Sequence, residues 1–127
     1  MQRNGNRTFD DALDDFMIYC QDKHLRAKTM ISYEATLKLF FRYLEDNFEI
    51  VNIGSIREAM CSDYISYTKA RGKYTFAADD RQKILNNPEG RGDFGKKVSA
   101  STINNYIRNL KVFFNYLIEE NKINKIQ

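Results

Sequence analysis

The feature that most restricts the fold of this chain is a stretch of eighteen residues that occurs twice. Residues 27–44 and 100–117 align without a gap, 73 positions apart, and nine of the eighteen residues are identical. The apolar positions recur with the spacing of one face of an α-helix. A threonine and a lysine also match, so the likeness extends beyond a shared apolar stripe. We therefore predict two equivalent helices, placed at the two ends of a small helical bundle.

Helical periodicity also covers most of the rest of the chain. We predict four helices, over residues 9–22, 27–46, 61–70 and 100–121. Thr8 and Ser99 are suited to cap the first and last of them. Residues 72–98 hold four of the six glycines and the only proline, so we expect a flexible insertion that carries a short helix over residues 78–85. The prediction is an all-α fold, a compact four-helix domain over residues 1–127 with a long insertion between helices 3 and 4.

Composition and motifs exclude several classes of protein. No apolar run approaches the ~20 residues that a membrane span needs. The polar N-terminus has no secretory apolar region, so we expect a cytoplasmic protein with no membrane partner. Cys20 and His24 lie one helical turn apart, but a metal site needs three or four ligands and no others converge in the sequence, so we expect neither a metal nor another cofactor. A G-x-G-x-x-G match at residues 90–95 follows no predicted strand and therefore does not indicate a nucleotide site.

The local distribution of charge says more about a partner than the net charge of +3 does. No acidic residue occurs between Asp93 and Glu119, or between Lys23 and Tyr33. Each of these acid-free windows covers the start of one repeated helix and contains basic side chains. The absence of acidic residues beside basic ones at two helix starts is typical of a surface that binds a polyanion.

The outward face predicted for the last helix carries side chains suited to DNA. Asparagine and arginine can bond base edges when a helix lies in the major groove. The candidate base contacts are Asn104, Asn105 and Arg108. The candidate phosphate contacts are Lys96, Lys97, Ser99 and Ser101, next to the free N–H groups of the helix start. An ordinary solvated face accounts for the same composition equally well.

The aromatic residues of the two repeats admit two interpretations. They could be platforms on which bases stack. Their helical spacing instead favours burial in a core. Tyr43 and Tyr116 lie off the centre of the apolar stripe, and we expect these two rings at an interface.

Three motifs in order along the chain resemble a known family. They are Lys-Thr-x3-Tyr-x3-Leu from Lys28, residues 55–73, and Ser-x-Ser-Thr-Ile-Asn-Asn-Tyr from Ser99. Together they resemble the N-terminal core-binding (SAM-like) domain of phage-integrase-type tyrosine recombinases. The resemblance implies a SAM-like helical domain that forms one half of a C-shaped clamp around DNA. It extends over about residues 8–126, apart from the glycine-rich insertion.

The resemblance also implies contacts to duplex DNA from both repeated helices. By matched position, Lys28 and Ser32 touch DNA from the second helix. The residues already named from Ser99 to Arg108 touch it from the last helix. Arg26 joins these candidates, although the family commonly has a serine cap at that position. The implied function is non-covalent DNA binding within a site-specific recombinase, in DNA integration and recombination.

Catalysis by this family needs residues that the chain does not have. A tyrosine nucleophile acts there with two arginines, a lysine and a His-x-x-Arg motif, and this sequence contains no such motif. We therefore expect no enzyme activity, and a chain that ends near the linker to a catalytic domain. We expect the parent recombinase to oligomerise through regions outside this chain. The alternatives are a helical protein–protein interaction module and a stand-alone regulatory DNA-binding protein.

Overall fold

The structure is a computed structural model that describes residues 7–86 and 91–120. This described part is all-α, as predicted, and contains five α-helices and no strand. The helices are α1 (Phe9–Asp22), α2 (Ala27–Phe48), α3 (Glu58–Ala70), α4 (Asp80–Asn86) and α5 (Ala100–Glu119). A 3-10 turn at Ile53–Ser55 connects α2 to α3.

The predicted caps of the first and last helices are confirmed. The Thr8 hydroxyl accepts a hydrogen bond from the Asp11 N–H at 3.2 Å. The Ser99 hydroxyl accepts one from the Thr102 N–H, also at 3.2 Å. Each bond satisfies one of the free N–H groups that a helix start leaves. As a result α1 and α5 begin at the predicted residues.

The middle helices are longer than the apolar stripes predicted. Helix α2 continues to Phe48, whose ring packs edge-on against Tyr43 with centroids 6.1 Å apart. It ends at Glu49, which adopts a left-handed conformation with a φ of 56°. Helix α3 begins at Glu58, three residues before its predicted start, and has this one acidic residue in its first turn. An acidic residue is favoured there by the helix dipole.

The repeated helices α2 and α5 pack side by side, so their predicted placement at two ends of the bundle is wrong. The Asn109 amide donates to the Thr36 hydroxyl at 2.9 Å. The Asn105 amide lies 3.5 Å from the Ser32 hydroxyl. Both pairs join positions that are equivalent in the repeat. Because these contacts advance in the same direction along both helices, α2 and α5 run parallel and in register.

Aromatic contacts between the repeated helices are reciprocal. The Phe40 and Phe114 rings lie 6.0 Å apart, and the Phe41 and Phe113 rings lie 5.6 Å apart. Phe40 and Phe113 are equivalent in the repeat, as are Phe41 and Phe114. Contacts of this reciprocal kind are those of an approximate two-fold relation.

The flanking helices α1 and α3 obey the same two-fold relation. Phe16 of α1 meets Phe113 edge-on at 5.2 Å, and Tyr64 of α3 meets Phe40 edge-on at 5.3 Å. The core therefore consists of two similar helical hairpins, α1–α2 and α3–α5. In each hairpin the flanking helix places a fully buried ring, Phe16 or Tyr64, against the central phenylalanine of the other hairpin.

Tyr43 and Tyr116 are buried, and the prediction that they lie at an interface is wrong. They are only 6% and 5% exposed. Tyr43 packs against Tyr67 at 4.8 Å, and Tyr116 packs against Tyr19 at 4.7 Å. Burial raises the pKa of both phenols, that of Tyr116 to about 12. The flanking helices cover a wider part of the repeat than the apolar stripe predicted.

The insertion is closed at its base by paired backbone. The Lys73 N–H donates to the Lys96 carbonyl at 2.8 Å, and the Gly95 N–H donates to the Lys73 carbonyl at 2.8 Å. A Cβ atom at Gly72 would lie 2.3 Å from the Gly95 carbonyl oxygen, so only glycine allows this approach. This contact fixes where the chain leaves α3 and where it returns to α5.

The short helix predicted within the insertion is confirmed as α4, which begins two residues later and ends one residue later than predicted. The predicted mobile segment begins at Gly90, which lies outside the described residues. In the described part, the Arg91 guanidinium lies 3.9 Å from the centre of the Tyr74 ring. The flexibility of the insertion stays a prediction.

Candidate nucleic-acid interface

Parallel packing brings the starts of α2 and α5 to the same end of the bundle. Neither helix has an acidic residue in its first turn. The positive ends of two helix dipoles therefore lie close together and their fields add. The start of α2 also has no side-chain cap, because Arg26 occupies the N-cap position without such a bond. Backbone N–H groups at such a start can bind an anion.

Eight of the ten predicted contact residues are exposed on or beside these helix starts. We call them the helix-start surface. It consists of Arg26, Lys28, Lys96, Lys97, Ser99, Ser101, Asn104 and Arg108. Five of the eight are cationic, and none is acidic. The two acid-free windows of the sequence thus meet at one end of the bundle in the folded chain.

Ser32 and Asn105 do not point outward, and their predicted orientation is wrong. Both are half-buried between α2 and α5. The Asn105 amide lies 3.5 Å from the Ser32 hydroxyl, which also accepts from the fully buried amide of Asn109 at 3.1 Å. The parallel arrangement turns this side of each helix toward the other helix. These two residues therefore support the helix-start surface from beneath.

The hydroxyl of Ser99 is already used within the helix start. It accepts from the Thr102 N–H and donates to the Thr102 hydroxyl at 3.0 Å. This side chain therefore shapes the start of α5, while the neighbouring Ser101 hydroxyl remains exposed.

A groove between α3 and α5 adds two residues that sequence reasoning missed. Lys69 and Ser66 line this groove together with Lys97, Ser99 and Asn104. Lys69 lies in the last turn of α3, and it reaches the helix-start surface only because α3 runs antiparallel to α5. The sequence does place Lys69 near the end of a predicted helix. It does not indicate which surface of the folded chain this lysine joins.

Acidic side chains gather at the opposite end of α2. Asp10 lies close to Glu45 because α1 and α2 are antiparallel, and both line one small pocket. Burial raises the pKa of Glu45, and repulsion from Asp10 and Asp46 raises it further, against the opposing effect of Arg42. The bundle is thus polarised along α2, with acids at one end and the helix-start surface at the other.

Replacing Glu45 with glutamine is expected to stabilise the fold at neutral pH by about 0.2–0.5 kcal/mol, the usual size of a like-charge effect on a helix. The folded pKa of Glu45 lies above its ordinary value near 4.5, so the folded state binds the proton more tightly. The unfolding free energy of the wild type therefore falls as pH rises from the unfolded-state pKa near 4.5 through the higher folded-state pKa of Glu45.

Urea unfolding at pH 4 and pH 7 measures this difference. Glu34→Gln is the matched control, because Glu34 forms an ion pair with Lys38 at 3.8 Å and its loss should give no gain. A Glu45→Gln variant that is no more stable than the wild type at pH 7 would contradict the expected repulsion.

Two further properties of the described residues concern cofactors and membranes. Among them, no group of three or more histidine, cysteine or acidic side chains is placed to hold a metal ion. None of the helices in the described ranges is long and apolar enough to cross a bilayer.

Burial raises the pKa of the Cys61 thiol to about 11, which keeps it protonated at neutral pH.

Comparison with protein families gives the identity of this fold. The family described as phage integrase, N-terminal SAM-like domain matches residues 13–81, more than half of the chain. The chain belongs to this family. The match confirms the resemblance carried by the motifs and associates this SAM-like domain with integrase-type recombinases. It covers α1 from Leu13 onward, all of α2 and α3 and the first two residues of α4, whereas α5 lies beyond it. No curated protein and no solved structure matches the chain.

Proposed function

We propose that this SAM-like domain binds duplex DNA non-covalently through the helix-start surface, as part of a site-specific tyrosine recombinase. The supporting observation is the parallel, in-register packing of α2 and α5, which unites two acid-free helix starts. The integrase family implies association with DNA in general. A cationic surface beside two helix starts, of which that of α2 has no side-chain cap, suits the phosphate backbone of a duplex.

The proposed contacts divide into two groups by position. Lysine and arginine side chains at the helix starts, with Lys69 from α3, hold phosphates and fix the orientation of the duplex. Asn104 and Arg108 lie further along the exposed side of α5, where a helix in the major groove reaches base edges. Ser32 and Asn105 position the two helices and contribute least to direct contact.

Titration of the labelled chain with a short duplex at low salt tests the proposal. Amide signals at the starts of α2 and α5 should move, and neutralising four to six phosphates gives a log–log salt slope of about −4 to −5. The double variant Lys28→Gln, Lys97→Gln should flatten this slope by about two. Lys38→Gln is the matched control, since Lys38 lies on α2 away from the helix start and pairs with Glu34. If no amide on α2 or α5 moves, the DNA proposal fails.

Arg108 separates base recognition from phosphate contact. Because its side chain is exposed, Arg108→Ala should change folding stability by no more than about 0.5 kcal/mol. If Arg108 reads a guanine, the substitution relaxes the preference at one base pair. If it holds a phosphate, binding weakens on all sequences and the salt slope falls by about one. Unchanged binding by Arg108→Ala and Asn104→Ala together would remove α5 from the interface.

One observation favours the alternative of a protein–protein interaction module. An open groove of about 470 Å³ between α3 and α5 is lined mainly by apolar side chains, among them Cys61, Ile65, Ile107 and Phe114. Docking of an apolar partner there would depend little on salt, unlike binding of a duplex. The salt slope of any observed complex therefore distinguishes the two functions.

A further inference from the structure

A small basic cleft lies where the two ends of the insertion meet α5. Its volume is about 210 Å³, well above the ~10–15 Å³ that holds one water. Six polar side chains line it, and none of its lining residues is acidic. They are Arg71, Lys73, Tyr74, Asn86, Thr102 and Tyr106. The cleft thus offers two cationic groups, three hydroxyls and one amide.

Hydrogen-bond donors at this cleft lack partners among the described residues. The Nε atom of Arg71 is fully buried and makes no hydrogen bond, while its Nη1 donates to the Gly72 carbonyl at 3.1 Å. The hydroxyl of Tyr64 is also buried and makes no hydrogen bond. A buried donor without a partner costs about 1–3 kcal/mol, so each one calls for an explanation.

The hydroxyl of Tyr64 lies near two residues of the cleft, although Tyr64 itself does not line it. It lies close enough to Tyr106 and Arg71, which line the cleft, to interact with both electrostatically. Burial is the largest cause of the raised pKa of this phenol. The neighbouring Thr68 hydroxyl weakly opposes that rise, but it donates to the Tyr64 carbonyl at 2.8 Å. The two hydroxyls do not meet hydrogen-bond geometry.

Packing alone does not require a hydroxyl at this position. In the two-fold relation between the hairpins, Phe16 occupies the place that Tyr64 occupies in α3–α5. Both rings are fully buried and meet their central phenylalanine edge-on at nearly the same distance. A phenylalanine therefore suffices in the hairpin without the insertion, and the extra hydroxyl occurs in the hairpin that has the cleft.

The remaining donors suit an oxyanion. Thr102 accepts from the Ser99 hydroxyl, which leaves its own hydroxyl hydrogen for a ligand. The Lys73 Nζ atom lies 3.9 Å from the Asp93 carboxylate, which is long for an ion pair. Its ammonium group therefore has hydrogens left to donate to a ligand. An arginine fork with a nearby lysine matches the geometry and charge of a phosphate.

We propose that this cleft binds a phosphate group, held by Arg71 and Lys73 with the hydroxyls of Thr102 and Tyr106. The phosphate belongs either to the backbone of a bound duplex or to a small phosphate compound. The duplex source rests on the proposed function, whereas the small-compound source is independent of it. In both cases the cleft couples a ligand to the base of the insertion.

Inorganic phosphate, titrated into the labelled full chain at constant ionic strength, is the probe. Saturable shifts are expected at the amides of Gly72, Lys73 and Tyr106. Arg71→Met should abolish them, and Tyr106→Phe, which removes one hydroxyl and keeps the ring, should weaken the affinity several-fold. Lys111→Met is the control, since this exposed lysine lies on α5 outside the cleft and its loss should change nothing.

A duplex titration of the same variants distinguishes the two sources. If the cleft takes a backbone phosphate, Arg71→Met flattens the salt slope by about one and inorganic phosphate competes with the duplex. If the cleft takes a small phosphate compound, Arg71→Met loses phosphate binding but binds the duplex as the wild type does. If the wild-type chain binds phosphate but no duplex, the proposed function is wrong and the phosphate site is still supported. The absence of saturable shifts, or shifts that survive in both variants, overturns the site.

Discussion

Replacing Phe113 with alanine is expected to lower the free energy of unfolding by about 3–5 kcal/mol, as for other fully buried aromatic truncations. Phe113 lies at the centre of the core and is fully buried. It meets Phe16 of α1 edge-on at 5.2 Å and Phe41 of α2 at 5.6 Å. The substitution therefore opens a cavity that three helices share. Urea unfolding followed by circular dichroism measures the loss.

The two-fold relation supplies a matched variant for this prediction. Phe40 is the equivalent residue on α2, and its ring is likewise fully buried beside Tyr64 and Phe114. Phe40→Ala should cost a similar amount, whereas Asn115→Ala on the exposed side of α5 should stay within about 0.5 kcal/mol. If Phe113→Ala leaves the protein fully folded and removes only DNA binding, the division of α5 into a buried and an exposed face is wrong.

The repeat predicted the helices well and their packing poorly. Matching apolar spacing requires that both stretches bury the same face, and their burial patterns do agree. The repeat contains no information on whether the two faces meet each other or meet different helices. That choice depends on loop lengths and on the flanking helices α1 and α3, whose own likeness is too weak to notice in the sequence. The predicted placement at two ends of the bundle failed for this reason.

The candidate interface was predictable where it depended on local sequence. Acid-free windows and helix starts are local features, and eight predicted residues are exposed there. Lys69 joins that surface, and Arg71 lines the phosphate cleft, only through tertiary contacts, so the sequence did not single them out. A signal for Asn109 did exist. Both copies of the repeat place a polar residue at this position, Thr36 and Asn109, beside the apolar stripe.

The buried polar cluster around Asn109 joins the two repeated helices through directional hydrogen bonds, one of them between equivalent positions. Its amide group has two hydrogens and three acceptors within reach. They are the Thr36 hydroxyl at 2.9 Å, the Ser32 hydroxyl at 3.1 Å and the Ser32 carbonyl at 3.3 Å. Aromatic packing alone would tolerate a slip along the helices, whereas directional bonds do not. A single buried asparagine plays this role in parallel coiled coils.

Replacing Asn109 with leucine is expected to lower the free energy of unfolding by about 1–3 kcal/mol, because the buried Thr36 hydroxyl and the half-buried Ser32 hydroxyl lose this partner. Leucine has a similar size, so little of the loss should come from a cavity. Removing the stranded hydroxyls as well, in the triple variant Asn109→Leu, Thr36→Val, Ser32→Ala, should recover most of the stability. Asn115→Leu, at an exposed position of the same helix, is the control and should change stability by no more than about 0.5 kcal/mol.

The triple variant also separates stability from register. If the polar cluster sets the register, the triple variant should regain its unfolding free energy but bind duplex DNA more weakly than the wild type, since the two helix starts are no longer held level. Loss of the nuclear Overhauser contacts between the starts of α2 and α5 would accompany that weaker binding. Full recovery of both stability and DNA affinity would mean that the aromatic core alone aligns the helices. An Asn109→Leu variant as stable as the wild type would show that the hydrogen bonds of Asn109 do not stabilise the packing of the two hairpins.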